Sequence, residues 1–251
     1  MSLPQEYSQQ DTWRDWDSYI DQLPIKSHET ILDLGCSIGT VSRLLAKKAS
    51  LVIGIDKNSE LLQEAIHSNT AENISYINGD LNSIKELELP LADGIWSSFT
   101  AAYFPNFEPI LKSWLNKLKP DGWIAIVEMS DLFAHFPLSI ETQVTFKKYY
   151  ERQRRINTYD FEMGAKLNDF VKTCGLKIVF EENKYDRELT FDGPVEPQIL
   201  KAWEKRFDRM VVFKEYLGQD QFSKIKKELL DCLSNKKHTS KSIVKFIVAK
   251  K

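Results

Sequence analysis

Thr30-Ile31-Leu32-Asp33-Leu34-Gly35-Cys36-Ser37-Ile38-Gly39-Thr40 is the stretch that decides the fold. Thr30 to Leu34 is a short apolar run with the makeup of a buried strand, and Gly35 cuts it off. From Val41 onward, Val41, Leu44 and Leu45 fall at helical spacing, so the whole reads strand, glycine loop, helix. Glycines at such a junction adopt positive φ and let backbone approach a ligand closely. The helix beyond offers unpaired N–H groups to polar or anionic atoms. A glycine pair after a strand is weak evidence alone, because a plain tight turn looks the same.

The pattern continues outward. Leu51 to Ile55 is a second strand, continuous in apolar side chains as a strand buried on both faces should be, and it ends in Asp56 and Lys57. Asn58 or Ser59 caps the next helix, with Leu61, Leu62, Ala65 and Ile66 as its apolar positions. Ile74 to Ile77 reads as a third strand and Gly94 to Ser97 as a fourth. Pro109 sits in the first turn of a helix whose stripe is Ile110, Leu111, Trp114, Leu115 and Leu118. Pro120-Asp121-Gly122 turns the chain into a fifth strand, Trp123 to Val127. Regular βα alternation with right-handed crossovers makes one doubly wound sheet the default.

After Glu128 the rhythm changes. Residues 131 to 158 are aromatic and basic, and Met163, Leu167, Phe170, Val171 and Cys174 mark a helix that Gly175 ends. Leu176 to Phe180 reads as a sixth strand. Two helices follow, one through Leu200, Trp203, Phe207, Met210 and Val211, the other through Phe222, Ile225, Leu229 and Leu233. Ile243 to Ala249 is the last strand. The expectation is a single domain over residues 1–251, with a core of about 28–130, 160–180 and 241–251. Helical caps are inserted at about 131–159 and 190–238.

Three carboxylates define the ligand. Gly35-x-x-x-Gly39 lacks the middle and terminal glycines of G-x-G-x-x-G, which a pyrophosphate wants. Asp33 lies in the strand end, where an acid suits a cationic group better than a phosphate. Asp56, 21 residues after Gly35, sits where a carboxylate can accept both hydroxyls of a ribose. Asp80, in Asn78-Gly79-Asp80-Leu81, can accept from an exocyclic amine such as that of adenine. A ribose, an adenine and a positive centre without phosphate fit these groups.

On these motifs the chain resembles a class I S-adenosylmethionine-dependent methyltransferase of the small-molecule type. The resemblance covers about residues 30 to 128, and the last strand more loosely. It implies an α/β fold, a seven-stranded Rossmann-like doubly wound sheet with inserted capping helices and an antiparallel final strand. It implies S-adenosylmethionine as cofactor and S-adenosylhomocysteine as product. Asp33, Gly35, Cys36, Ser37 and Gly39 match the loop around the methionine part, and Asp56 with Lys57 the ribose end. Asp80 and Leu81 match the adenine pocket. Asp93-Gly94-Ile95-Trp96-Ser97-Ser98 resembles the fourth-strand motif, which places Ser97 and Ser98 beside the transferred methyl. Leu118-Lys119-Pro120-Asp121-Gly122 resembles the turn before the fifth strand. In this family an N-terminal segment often closes over the cofactor, which points to Trp13, three residues from Trp16.

Two departures matter. Ser37 stands where the family has a middle glycine. Ala101-Ala102-Tyr103-Phe104 replaces a histidine pair common after the fourth strand, which makes the pocket more apolar. No Asn-Pro-Pro-Tyr element of the kind used on nucleic-acid bases follows the fourth strand.

Methyl transfer needs chiefly positioning, with a base only when the nucleophile is protonated. His135 is the histidine best placed for a base, and Glu128 is either a second candidate or an acceptor for a loop amide. Tyr103, Phe133 and Tyr150 are candidates for an apolar acceptor pocket, although aromatic residues are more often core. Arg152, Arg154 and Arg155 read as a solvated helix face. No metal site is expected, since Cys36, Cys174 and Cys232 lack metal-type spacing.

Hydrophobic residues make up 42% and charged residues 28%, which excludes a disordered chain. A formal net charge of -2 argues against a wide nucleic-acid footprint. The odd, scattered cysteines fit a reducing cytoplasm, and neither a secretory signal nor a membrane span is expected. The expected reaction is methyl transfer to an oxygen, nitrogen or carbon of a small, partly apolar acceptor. An RNA or protein methyltransferase, a non-catalytic S-adenosylmethionine binder and, more weakly, a nicotinamide oxidoreductase stay open. Oligomeric state is not readable.

Overall fold

A computed structural model describes residues 2–251. Its strands are β1 (Thr30–Leu34), β2 (Leu51–Asp56), β3 (Ile74–Asn78), β4 (Ala92–Ser98), β5 (Leu118–Ser130), β6 (His135–Phe136), β7 (Lys177–Lys184), β8 (Thr239–Ser240) and β9 (Ile243–Lys250). Seven form one sheet in the order β3-β2-β1-β4-β5-β9-β7, while β6 and β8 pair separately. β1 to β5 run parallel, and β9 lies antiparallel between β5 and β7. The expected seven-stranded sheet with its antiparallel last strand is the one observed.

Period-2 alternation covers both faces. Ile31, Val52, Trp96, Ala125, Val127, Phe246 and Val248 point into one core. Their neighbours Leu32, Ile53, Ile95, Ile124, Ile126 and Ile247 point into the other. Continuous apolar strands are what a sheet covered on both sides requires.

The helices are α1 (Leu3–Asp11), α2 (Trp16–Ile20), α3 (Thr40–Ala46), α4 (Ser59–Ser68), α5 (Phe107–Leu115), α6 (Ile140–Arg155), α7 (Met163–Thr173), α8 (Pro197–Arg209), α9 (Val211–Leu217) and α10 (Gln219–Leu233). α5 and α7 fill the second core, and α2, α3, α6, α8, α9 and α10 contribute to the first. Asn58 caps α4 by accepting from the Glu60 and Leu61 amides.

Three local expectations change. The stripe from Leu200 to Val211 is broken at Met210, which has φ -78° and ψ 58°, so α8 and α9 are separate helices and Val211 is exposed. The turn Pro120-Asp121-Gly122 lies inside β5: Ala92 faces Leu118 and Gly94 already faces Trp123, so residues 119–122 form an irregular insertion in the ladder. Trp13 and Trp16 do not share a helix, because α1 stops at Asp11 and α2 begins at Trp16.

Candidate functional site

The carboxyl ends of β1, β2, β3 and β4 open into a cleft of ≈ 480 Å³, the position at which doubly wound sheets bind ligands. Its far wall comes from α1 and from Arg206 of α8.

Beyond β1 the backbone turns left-handed three times, at Gly35 (φ 79°), Ser37 (φ 51°) and Gly39 (φ 78°). Gly35 and Cys36 donate their amides to Ile55 O at 2.8 and 3.1 Å, which fastens the loop to the end of β2. A Cβ on Gly35 would stand 2.1 Å from Thr100 Oγ1, and one on Gly39 would stand 2.2 Å from Tyr76 Oη. Both glycines are therefore required by space as well as by φ.

Asp56 accepts the Ser37 amide on Oδ2 and the Asn58 amide on Oδ1, each at 2.9 Å. A carboxylate has about four lone-pair sites, so Asp56 braces the loop and still has capacity for two ligand hydroxyls. Asp80 accepts from the Asn82 amide and side chain through Oδ1, capping a 3₁₀ turn at Leu81–Glu86. The Asn82 amide holds its carboxyl below the usual range, and Oδ2 is left for a ligand donor. Asp33 is buried and accepts from Ser42 Oγ. Burial, reinforced by Asp56 and Asp11, pushes its carboxyl up to about 7. Asp11, Asp33 and Asp56 together line the cleft. They disfavour a pyrophosphate and favour a cation.

Ser37 Oγ is buried and has no hydrogen-bond partner among the described residues, although Ser37 lines the cleft. An unpaired hydroxyl beside free carboxylate lone pairs is the donor and acceptor set that a polar amino-acid and ribose ligand would complete. The residues present fit the implied cofactor.

Of the residues expected from the sequence, Asp33, Gly35, Cys36, Ser37, Asp56, Lys57, Asp80, Leu81, Ser98 and Tyr103 line the cleft. Others do not. Gly39 serves the geometry as the residue before α3. Ser97 is buried in the sheet and donates to Leu34 O at 3.1 Å. Trp13 packs in the core, and Trp16 lines the cleft in its place. Phe133 stacks on Phe146 at 4.2 Å, and Tyr150 Oη accepts the Phe133 amide at 2.8 Å. Both are core of the cap, where their large apolar surfaces escape water.

His135 is also corrected. It is fully buried, outside the cleft lining, and pairs its Nδ1 with His238 Nε2 at 3.0 Å. His238 Nδ1–H donates to Gly193 O at 3.0 Å, so His238 Nε2 must accept from His135. Burial and then His238 push the His135 imidazole down to about 3. It is a neutral structural pair. His238 itself is buried. Glu128 is equally buried: it accepts the Ala102 amide at 3.0 Å and the Met129 amide at 2.9 Å, and burial pushes its carboxyl up to about 7. It fixes the turn Ala101–Tyr103 and does not line the cleft.

Sequence reasoning missed Gln10 and Asp11 of α1, then Arg14, and also Phe99, Thr100, Tyr159, Leu189 and Arg206. The place of Phe99 directly after the fourth-strand motif was the available signal for one of them; its positive φ, 51°, appears only in the fold. Arg14 donates to Asp186 at 3.0 Å and to Glu188 at 2.9 Å, lying 4.7 Å from the Phe99 ring centre, so it ties the N-terminal segment to a distant loop. Among the described residues no group of acids, histidines and cysteines could hold a metal, and no helix is long and apolar enough to cross a membrane.

A family model described as a methyltransferase domain matches residues 25–214. The chain is 21% identical over 224 residues to the trans-aconitate 2-methyltransferase of Mycobacterium tuberculosis, covering 86% of this chain and 80% of that protein. Its fold resembles the cyclopropane synthase of Mycobacterium tuberculosis, with a TM-score of 0.61 at 14% identity, over 94% of this chain and 82% of that one. It also resembles a Haemonchus contortus phosphoethanolamine N-methyltransferase solved with S-adenosylhomocysteine, with a TM-score of 0.57 at 20% identity, over 95% of this chain and 52% of that one. With its sheet order, its glycine loop and its strand-tip acids, the chain belongs to the methyltransferase-domain family, as a class I S-adenosylmethionine-dependent enzyme.

Proposed function

We propose that the enzyme methylates an oxygen, nitrogen or carbon atom of a small, partly apolar molecule held in the half of the cleft beyond the acid loop. The observation that carries this is the change of character along one cleft. Asp33, Asp56 and Asp80 line one end, while Phe99, Phe104, Met129, Leu132 and Leu189 line the other. A wall from α1 and α8 leaves room for a small molecule rather than a folded RNA or protein surface.

When bound, S-adenosylmethionine supplies an electrophilic methyl group on a sulfonium. Asp56 and Asp80 would hold ribose and adenine, and Asp33 with Asp11 would face the positive centre. Glu128 steadies the Ala101–Tyr103 turn, which brings Tyr103 to the cleft. The phenols of Tyr7, Tyr103 and Tyr159 are pushed up by burial, so they are protonated donors at neutral pH and not bases. The nucleophile would therefore present its own lone pair, with rate coming from orientation and exclusion of water. Three unpaired cysteines suit a reducing cytoplasm.

Calorimetric titration with S-adenosylhomocysteine and with NAD tests the cofactor, followed by transfer of a labelled methyl to fractionated metabolites and RNA. Binding of S-adenosylhomocysteine and label in a small metabolite are expected. NAD binding without S-adenosylhomocysteine, or label confined to RNA, would overturn the reading.

A further inference from the structure

Arg206, on α8, lines the cleft and lies outside the loop and strand-tip acids assigned to the cofactor. Its side chain is 19% exposed, and its guanidinium lies 4.7 Å from the Trp203 ring centre. Nη2 donates to Glu188 Oε1 at 2.6 Å, but Nη1 is buried and has no hydrogen-bond partner among the described residues. An unmet N–H on a buried charged group is costly to a fold, more so than a neutral one. Arg14 differs: its Nε and Nη2 both donate, to Asp186 and Glu188.

The surroundings agree. Arg206, Tyr7, Tyr103 and Tyr159 all line the cleft; the guanidinium charge acts on all three phenols, and so do carboxylates, Asp56 on Tyr7 and Tyr103 and Glu128 on Tyr103 and Tyr159. Tyr103 and Tyr159 meet edge to face at 5.0 Å. None of the carboxylates lining the cleft comes from the chain beyond Asp80. Arg14, Arg206, Asp186 and Glu188 form a group of two cations and two anions joined by ion pairs. What Arg206 offers is thus a directed donor and a local positive pole, not surplus net charge. Guanidinium N–H groups match oxyanion geometry, and neighbouring phenol O–H groups add further donors.

We propose that the methyl acceptor carries an anionic oxyacid group, a carboxylate or a phosphate, bound by Arg206 and flanked by the phenols of Tyr7, Tyr103 and Tyr159. This rests on the other half of the cleft holding S-adenosylmethionine. Two arms keep the claims separate. First, S-adenosylhomocysteine is titrated alone; failure to bind overturns the cofactor reading and this inference with it. Then the S-adenosylhomocysteine-saturated protein is titrated with hexanoate, hexyl phosphate, hexanol and hexylamine, read by tryptophan fluorescence and melting temperature.

Saturable binding of hexanoate or hexyl phosphate, at least tenfold tighter than of hexanol or hexylamine, is expected; which anion binds identifies the oxyacid. Equal response to the alcohol or the amine, or no response to either anion, overturns the inference while leaving the cofactor reading intact. Arg206→Gln should weaken the anion at least tenfold with S-adenosylhomocysteine affinity within about threefold, and Arg206→Lys should restore part of it. Should Arg206→Gln fail to fold, Tyr103→Phe serves, since losing one hydroxyl leaves the edge-to-face packing of that ring on Tyr159 in place. A severalfold loss for the anion and none for hexanol is expected there. Anion affinity unchanged in both Arg206→Lys and Tyr103→Phe would overturn the assignment.

Discussion

Gly35 has φ 79°, and a Cβ there would collide with the Thr100 side chain. Left-handed strain costs a non-glycine residue about 1–3 kcal/mol before any clash. Gly35→Ala should therefore lower unfolding stability by at least that amount in urea titration; a change below about 0.5 kcal/mol would show that the loop relaxes freely. Asp56 makes a different prediction. Hydrogen bonds to a charged group contribute about 1.5–3 kcal/mol, so Asp56→Ala should weaken S-adenosylhomocysteine binding roughly 10- to 100-fold by calorimetry. Unchanged affinity would mean the ribose lies elsewhere. Asp33 links the site to pH. Burial holds its carboxyl at about 7 against an ordinary 3.8, and that of Glu128 at about 7 against an ordinary 4.5. The folded chain thus keeps protons that the unfolded chain has released. Stability from these groups is full below about 4, falls as pH rises toward 7, and is flat above it. His135 and His238, kept neutral by burial, give the opposite slope below about 6.5. The carboxyl effect is therefore read as a difference: from pH 5 to 7.5 the melting temperature of Asp33→Asn should rise relative to that of the wild type, both ligand-free. Asp33, Asp56 and Asp80 were legible because strand-end acids sit at fixed offsets from apolar runs. Arg206 was not, because an arginine on an amphipathic helix looks like a solvated side chain until its helix is docked.

The glycine loop, α4 and α5 could be read from caps, spacing and periodicity, which are local properties. The N-terminal segment could not. α1 and α2 are short and separated, and what holds them is long-range: Arg14 pairs with Asp186 and Glu188, Glu6 pairs with Arg209, and Trp16, Tyr19 and Ile20 pack into the core. Removing one partner from a buried ion-pair group costs about 3–5 kcal/mol. Arg14→Ala should thus destabilise the protein by that order and make residues 3–20 more accessible to protease. Protection equal to wild type would show that aromatic packing alone holds the segment. Aromatic residues of the cap were read partly as pocket because a ring has the same composition in a core as in a binding wall. Phe133 and Tyr150 lie in the core, and only Tyr103 of the three reaches the cleft. Their neighbours decide that: Phe133 meets Trp203, Phe207 and Phe213 of α8 and α9, seventy or more residues away, and Tyr150 stacks on Phe161.

At the scale of the whole molecule the doubly wound sheet follows from alternating βα units and the right-handed crossover rule and so was legible, while its antiparallel last strand was implied only by the family resemblance. The irregular insertion in β5 was not, because Pro120-Asp121-Gly122 has the same turn composition whether it precedes a strand or interrupts its ladder. β9 also settles how the chain can be made. It lies between β5 and β7 and gives both their partners on that side. During synthesis every earlier strand leaves the ribosome while one side of β5 and the whole of β7 still lack a neighbour. A nascent chain halted near residue 238 would carry an open, apolar edge, the kind that pairs with other chains. Such a fragment should pellet or be held by chaperones, and it should become soluble when a peptide of residues 239–251 is supplied. Premature termination would then yield an aggregation-prone species rather than a partly active enzyme.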